Sequence, residues 1–433
     1  MNAFAIDFGT SNSALARAQR DPASGRSSIK LAPLEDGATS MPTAVFYGAD
    51  DGSRRFGRAA VAAYVDGNEG RLMRSIKSIL GSDLMDETTE LAGGLQLRYV
   101  DVVVAYLRHL RQQAESHWHT TIERVVLGRP VFFVDDDARR DTRAQDTLAT
   151  AARTAGLRDI EFQYEPIAAA LDYESRLRPE EGERLVLIAD IGGGTSDFSV
   201  LRASAAAHAR ADRRADILAN YGVHMAGTDF DRAVNLATIM PLLGLGGSGP
   251  GDLPVPSKIY FDLATWHLIN TTYAPRRIAE LRSMRSMYLD ERAHGRLMRV
   301  LGQQRGHDLA ARAESAKIEV SETGRTMIEL DFIEPGLLRP YDEEEQAAIL
   351  DQSFERIVAA ALETVRGAGV DRSRIDVLYF TGGSTGLDAL VGKLTAAFPA
   401  ARCVRGDRYA SVVSGLAITA QRRFAPTDGR HSG

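Results

Sequence analysis

This 433-residue chain predicts an α/β fold of two lobes built on one plan. Three observations carry that expectation. Residues 3–8, AFAIDF, read as an apolar strand ending in an Asp; the chain turns through GTSNS and returns as SALARA with strand alternation. Residues 185–201, LVLIADIGGGTSDFSVL, repeat the plan, with Asp7 and Asp190 lying 183 positions apart. A third strand and glycine turn, VLYFTGGSTG, begins 192 positions after the second. Between these landmarks helical periodicity dominates, and helices alternating with strands argue for α/β layers.

The remaining elements follow in order. VVLGRPVFF at 125–133 is an apolar strand leading to a helix over Arg139–Gly156, which has a glycine near its stop. In YEPIAAALDY at 164–173, Glu165 precedes Pro166, as suits a first helical turn, and the alanines permit close packing. Taken alone, Glu165 also reads as an ordinary acidic complement to a helix dipole. The Ala/Arg run at 202–215 reads as a solvated turn between strands, and 242–256 as the clearest loop. Residues 275–300 read as a basic helical arm, either plainly solvated or a docking surface for an acidic partner. A second long helix is expected over Glu343–Val365, with acidic residues at its start, and PTDGRHSG as a frayed tail.

Composition narrows the function classes. Hydrophobic residues at 44% and charged residues at 25% exclude disordered, collagenous and coiled-coil classes. A net charge of −6 does not suggest a dedicated nucleic-acid binder. Cys403, the only cysteine, forms no internal disulfide or thiolate cluster. No Lys or Arg precedes Arg17 and no apolar run reaches a membrane span, so a cytoplasmic protein away from membranes is expected. There are five lysines, at 30, 77, 258, 317 and 393, against 47 arginines. A surviving lysine therefore marks a place where a compact ammonium serves better than a planar fork.

Several motifs fail on context. GLGGSG at 244–249 has dinucleotide-binding spacing, but no apolar strand precedes it and prolines follow it. GGSTG at 382–386 has the spacing of a hydrolase elbow, but only His431 in the tail follows Ser384. His117 and His119 are two apart on an apparent helix and do not share a face. The Asp-glycine turns survive. A glycine-rich turn exposes backbone N–H groups that can close on a phosphate, and Thr10, Ser11, Ser13, Thr195 and Ser196 add small hydroxyl donors. An Asp ending each strand is poised to hold hydrated magnesium, which prefers a few carboxylates plus water and phosphate oxygens.

DFGTSNS, RSIKSILG, YEPIAAALDY, ADIGGGTSDFSV, AGTDFD, ARAESAKIEVSE and LYFTGGSTG, in that order from residue 3 to about 420, resemble the nucleotide-binding domain of the heat-shock protein 70 chaperones in the actin-like ATPase superfamily. The resemblance implies duplicated ribonuclease H-like lobes clamping ATP or ADP, with inserted subdomains. The lobes would be 1–184, with an insertion near 34–115, and 185–405, with an insertion near 229–340. A closing helix over 406–424 and a tail over 425–433 would follow.

Carried over position by position, Asp7, Glu165 and Asp190 resemble the carboxylates around hydrated magnesium. Lys77 matches the lysine that positions the attacking water, and Thr195 the threonine beside it. Gly9, Thr10, Ser11 and Asn12 match the first phosphate turn; Gly192, Gly193 and Gly194 the second; Gly382, Gly383 and Ser384 the third, with Gly227 nearby. Glu314, Lys317 and Ser321 match the helix that contacts the adenosine. Gly386 stands where the family has an adenine-packing Arg and is kept as a nucleotide-binding position, with purine selectivity expected to differ from the family's. The chain stops without the family's linker and peptide-binding domain, which makes it most similar to YegD-like members. The implied function is a slow ATPase switch with an unidentified protein partner or client. A non-hydrolysing scaffold, a sugar kinase and a filament protein are the alternatives.

Overall fold

The computed structural model describes residues 3–20, 27–49, 53–90, 96–134, 137–208, 210, 212–407 and 410–424, so the expected tail lies outside the described residues. The chain divides into two compact units. The first comprises residues 1–224, 360–385 and 394–433; the second, 225–359 and 386–393.

Two sheets of matching topology organise the first unit. One contains β1 (Ala3–Phe8), β2 (Asn12–Arg20), β3 (Ser27–Leu31), the short β4 (Ser40–Pro42), β5 (Arg124–Arg129) and β6 (Asp159–Tyr164), in the order β6-β5-β1-β2-β3, with β4 on β2. The other contains β7 (Arg184–Ile191), β8 (Ser196–Ala203), β9 (Ile217–Val223), β10 (Val377–Thr381) and β11 (Arg402–Arg405), in the order β9-β8-β7-β10-β11. In each, an antiparallel hairpin (β1–β2 or β7–β8) is flanked by two parallel strands on the side of its first member. The central strands are apolar throughout because both faces are covered, as parallel strands require.

Helix α1 (Tyr99–Trp118) and helix α2 (Ala138–Thr154), the latter capped by the Asp137 carboxylate, serve the first sheet. Helix α3 (Glu165–Glu174) begins directly where β6 ends, with Pro166 in its first turn. Three consecutive alanines, Ala168 to Ala170, are almost fully buried on α3. The last helix of the first unit, Ser411–Arg423, meets them so closely that a Cβ on Gly415 would overlap the carbonyl of Ala168. Both helices share one core with residues of both sheets, including Ala5, Val126, Ile188 and Tyr379. The small side chains thus set the interhelical distance, and no larger residue fits at 415.

The second unit holds helices Gly227–Val234, Lys258–Ala264, Pro275–Ser283, Glu291–Gly302 and Gly306–Thr323, the hairpin Arg325–Glu329 with Leu338–Asp342, and the larger part of Glu343–Gly367. Residues 242–256 are mostly irregular as expected, with short 3-10 turns at Met240–Leu243 and Pro250–Asp252. The mixed α/β class holds.

One expectation needs correction. The Ala/Arg run is not simply a solvated turn: Arg213 is buried and bonds Glu174 through two nitrogens at 2.8 Å each, and also Asp216. The partner that draws it inward is 39 residues away in sequence, beyond any local pattern. Much of the basic arm's charge is paired, on arginines that are largely exposed in two of the four cases, so the reading of a solvated arm stands. Arg277 pairs with Asp262, Arg285 with Glu291, and Arg292 and Arg296 with Glu334.

Candidate functional site

The first turn is built by β1, β2 and β4. Strand β1 carries Asp7 to its end, opposite Ala14 in register, with Phe8 opposite Ser13. Thr43 braces the turn: its hydroxyl donates to the Gly9 carbonyl at 2.8 Å and lies 2.8 Å from the Ser13 hydroxyl, while its amide donates to the Ser11 carbonyl. A Cβ at Gly9 would overlap the Asn12 carbonyl, so this turn needs glycine for closeness and not for a left-handed φ. Thr10, Ser11 and Asn12 reach solvent at its crest.

The second turn joins β7 to β8. Here Asp190 lies opposite Asp197, so two carboxylates face one another across the hairpin. The Gly192 amide donates to the Thr195 carbonyl at 2.9 Å, and the Thr195 hydroxyl donates to Asp197 Oδ2 at 2.8 Å. A Cβ at Gly194 would stand 3.9 Å from the Thr10 methyl, so the two crests are neighbours. The third turn leans on the second. Ser384 donates to the Gly192 carbonyl at 2.6 Å, and Gly382, at φ +88°, presses its backbone against Ile191 and the Asp190 carboxylate. Gly383 and Gly386 bound the 3-10 turn that carries Ser384.

Lys77 enters from a separate 3-10 turn, Ile76–Ile79, preceded by Ser75 at φ 57°. Its ammonium donates to Glu165 Oε1 at 2.6 Å, with 9% and 15% of the two side chains exposed. Gly128, at the end of β5, clears the space: a Cβ there would stand 3.3 Å from the same Glu165 oxygen. Four carboxylates therefore gather around one ammonium, and the charge balance shows in their protonation. Burial, then the Glu165 charge, pushes Asp7 up to about 7 despite Lys77. Burial, then Asp197, Glu165 and Asp7, pushes Asp190 up to about 8. Burial raises Asp197 to about 6, against the stabilising Thr195 bond. For Lys77, burial works against the charge, but Glu165, Asp7 and Asp190 outweigh it and hold its pKa above the ordinary value.

Among the described residues no three His, Cys, Asp or Glu side chains converge closely enough to ligate one ion directly. This crowding of carboxyl groups around a single ammonium nevertheless suits a divalent cation kept in its own hydration shell, whose charge would favour the ionised forms of Asp7 and Asp190. Asp7, Glu165 and Asp190 could accept from that shell. The exposed backbone of the first two turns could receive polyphosphate oxygens.

The other candidates lie elsewhere. Glu314, Lys317 and Ser321 share one stripe of the helix Gly306–Thr323 in the second unit. There Lys317 is buried in an ion pair with Asp231 at 2.6 Å, near the Gly227 carbonyl, while Glu314 is exposed. Ser321 bonds back to the Lys317 carbonyl at 2.7 Å and accepts from Gln346. Sequence reasoning missed Asp197, Thr43 and Gly128. Asp197 had a signal: in a hairpin closed over residues 192–195, position 197 must face position 190.

The model of the family described as Hsp70 protein matches residues 3–238. That stretch contains Asp7, Lys77, Glu165, Asp190 and Thr195 and ends before Glu314. The chain is similar to a chaperone protein HscA homolog of Pseudomonas paraeruginosa, 32% identical over 254 residues, which are 54% of this chain and 36% of that protein. It is also similar to the chaperone protein DnaK of Thermosipho melanesiensis, 30% identical over 230 residues, or 53% and 34%. The chain thus spans little more than a third of the length of these curated relatives.

Proposed function

The chain belongs to the Hsp70 family, and from that premise we propose that it is an ATP-binding, slowly hydrolysing switch whose phosphate site is the carboxylate-ringed pair of turns. The observation that carries this reading is the convergence of Asp7, Glu165, Asp190 and Asp197 on the single ammonium of Lys77. Such a cluster is costly unless a ligand makes use of it.

In this proposal the amides of residues 9–12 and 193–195 hold the β- and γ-phosphates, with Thr10 and Ser11 adding hydroxyl donors. Lys77 orients water at the γ-phosphate, and Glu165 fixes the ammonium in place through their 2.6 Å bond. Asp197 accepts the Thr195 hydroxyl proton, which leaves the lone pairs of that oxygen to accept from a water. Little covalent chemistry is asked of the protein, and the rate comes from positioning and from a charge field that needs no reorganisation. Magnesium, when bound between Asp7, Glu165 and Asp190 through its water shell, would offset charge on the phosphates. We assign Glu314, Lys317 and Ser321 to the nucleoside on family resemblance. A protein partner or client, a YegD-like subtype and a reducing aqueous compartment belong to the same proposal. Among the described residues no helix is long and apolar enough to cross a membrane.

Calorimetry with ATP, ADP and GTP in the presence of magnesium tests the binding, followed by single-turnover hydrolysis. ATP or ADP is expected to bind and to raise the melting temperature, since a ligand of the native state must stabilise it. Absence of both effects would overturn the reading. Binding without turnover would overturn the hydrolysing switch and favour the non-hydrolysing scaffold.

A further inference from the structure

A cavity of about 310 Å³ lies in the first unit, lined by Phe162, Tyr164, Asp212 and the arginines Arg129, Arg213, Arg214 and Arg423 among others. Its floor is the edge strand β6, from which Phe162 and Tyr164 stand on the same face, two positions apart. Cations crowd its walls but differ in how they are partnered. Arg129 donates to both Asp141 oxygens at 3.0 and 2.8 Å and to two carbonyls. Arg213 is saturated by Glu174, Asp216 and the Arg202 carbonyl. Arg423 has Glu161.

Arg214 is the exception. Its Nε and one terminal nitrogen donate, at 3.2 and 2.8 Å, to the hydroxyl of Tyr164, while the Asp212 carboxylate, also in the lining, accepts from the Arg214 backbone amide at 3.0 Å and acts on the guanidinium only through its charge. A fork whose two parallel N–H groups match a carboxylate is here held open by a phenol. Arg129 and Arg214 also stand at 5.2 and 5.7 Å from the Tyr164 ring, so two cations lie close to the aromatic floor. The volume lies at the lower end of small-molecule sites.

We propose that this cavity is a second binding site, for a small flat carboxylate whose oxygens replace the Tyr164 hydroxyl on the Arg214 fork and whose ring lies over Phe162 and Tyr164. The proposal does not depend on the nucleotide reading, because none of these side chains belongs to the phosphate turns.

Benzoate is the probe, titrated into the full chain by calorimetry and by melting temperature at constant ionic strength, with chloride as the salt control. A saturable rise in melting temperature is expected with benzoate and not with chloride. Arg214→Ala should weaken benzoate binding by about tenfold or more, as loss of a bidentate charge-assisted contact would, while leaving ATP binding in place. Tyr164→Phe removes the competing hydroxyl, keeps the ring and should tighten benzoate binding; it tests the site even if the Arg214 variant fails to fold. Inorganic phosphate, an oxyanion without a ring, should bind more weakly than benzoate. No saturable benzoate effect in the wild type, an affinity unchanged by Arg214→Ala or weakened by Tyr164→Phe, or phosphate binding as tight as benzoate would each overturn the proposal.

Discussion

The hairpins β1–β2 and β7–β8 share one backbone plan and differ in what faces the terminal Asp. Opposite Asp7 stands Ala14, whereas opposite Asp190 stands Asp197. The support differs too. Thr43 clasps the first turn from the bend that follows β4, while Ser384 clasps the second from the third turn. A repeated fold can therefore keep the geometry that offers backbone amides while concentrating charge in one copy. Asp190, with the extra carboxylate opposite, is pushed up further than Asp7, to about 8 against about 7.

The largest expected effect falls on the cation that serves both copies. Replacing Lys77 with Met should lower ATP turnover by about 100-fold or more while nucleotide still binds, on the scale seen when one preorganised electrostatic group is removed. Turnover equal to wild type in a quenched-flow assay would show that neither turn needs the ammonium for chemistry.

Next comes a contrast between matched glycines. Gly9 and Gly192 stand at equivalent places, two residues after their Asp, yet a Cβ at 9 would overlap the Asn12 carbonyl while one at 192 would rest 3.7 Å from the Thr195 carbonyl. Gly9→Ala should cost about 2–3 kcal/mol in urea unfolding and Gly192→Ala less than about 1 kcal/mol. Equal losses would mean the two crests are packed alike.

The pH response should separate the copies further. Asp7 and Asp190 are raised in the folded chain, so the folded state holds protons that the unfolded chain has released. The stability they contribute is complete below the ordinary carboxylate range near 3.8, and is lost as pH climbs through about 7 for Asp7 and about 8 for Asp190. Without nucleotide or magnesium, Asp190→Asn should flatten the fall in melting temperature between those limits more than Asp7→Asn does. A larger flattening from Asp7→Asn would reverse the proposed charge asymmetry.

The smallest effect belongs to Thr195→Val, which removes the hydrogen bond to Asp197. A loss of about 1 kcal/mol is expected, as for one buried hydrogen bond, with a further rise in the Asp197 pKa detectable by carboxyl-resolved NMR titration. An unchanged Asp197 titration would separate the threonine from the carboxylate pair.

Much of this was readable in the sequence because the signals are local. Apolar runs ending in Asp, the glycines after them and the Glu-Pro helix start need only neighbouring residues, while the rarity of lysine marked five positions alike and only the resemblance singled out Lys77. What resisted reading depends on distant partners. Arg213 is buried because Glu174 lies beneath it, and Thr43 braces a turn more than thirty residues earlier in the chain. Asp197 falls between these cases, visible once hairpin register is counted. The matching of β10 with β5 as the parallel neighbours of their hairpins is a property of strand order, which periodicity does not encode.

The helix Ser411–Arg423 fits against Ala168 through Gly415 and shares a core with strands from the very start of the chain. During synthesis, at roughly 5–20 residues per second, the segments bearing Asp7 and Glu165 therefore leave the ribosome long before the helix that buries their apolar backing. For that interval the nascent chain exposes an alanine-lined groove, and Gly415 is the residue whose arrival closes it.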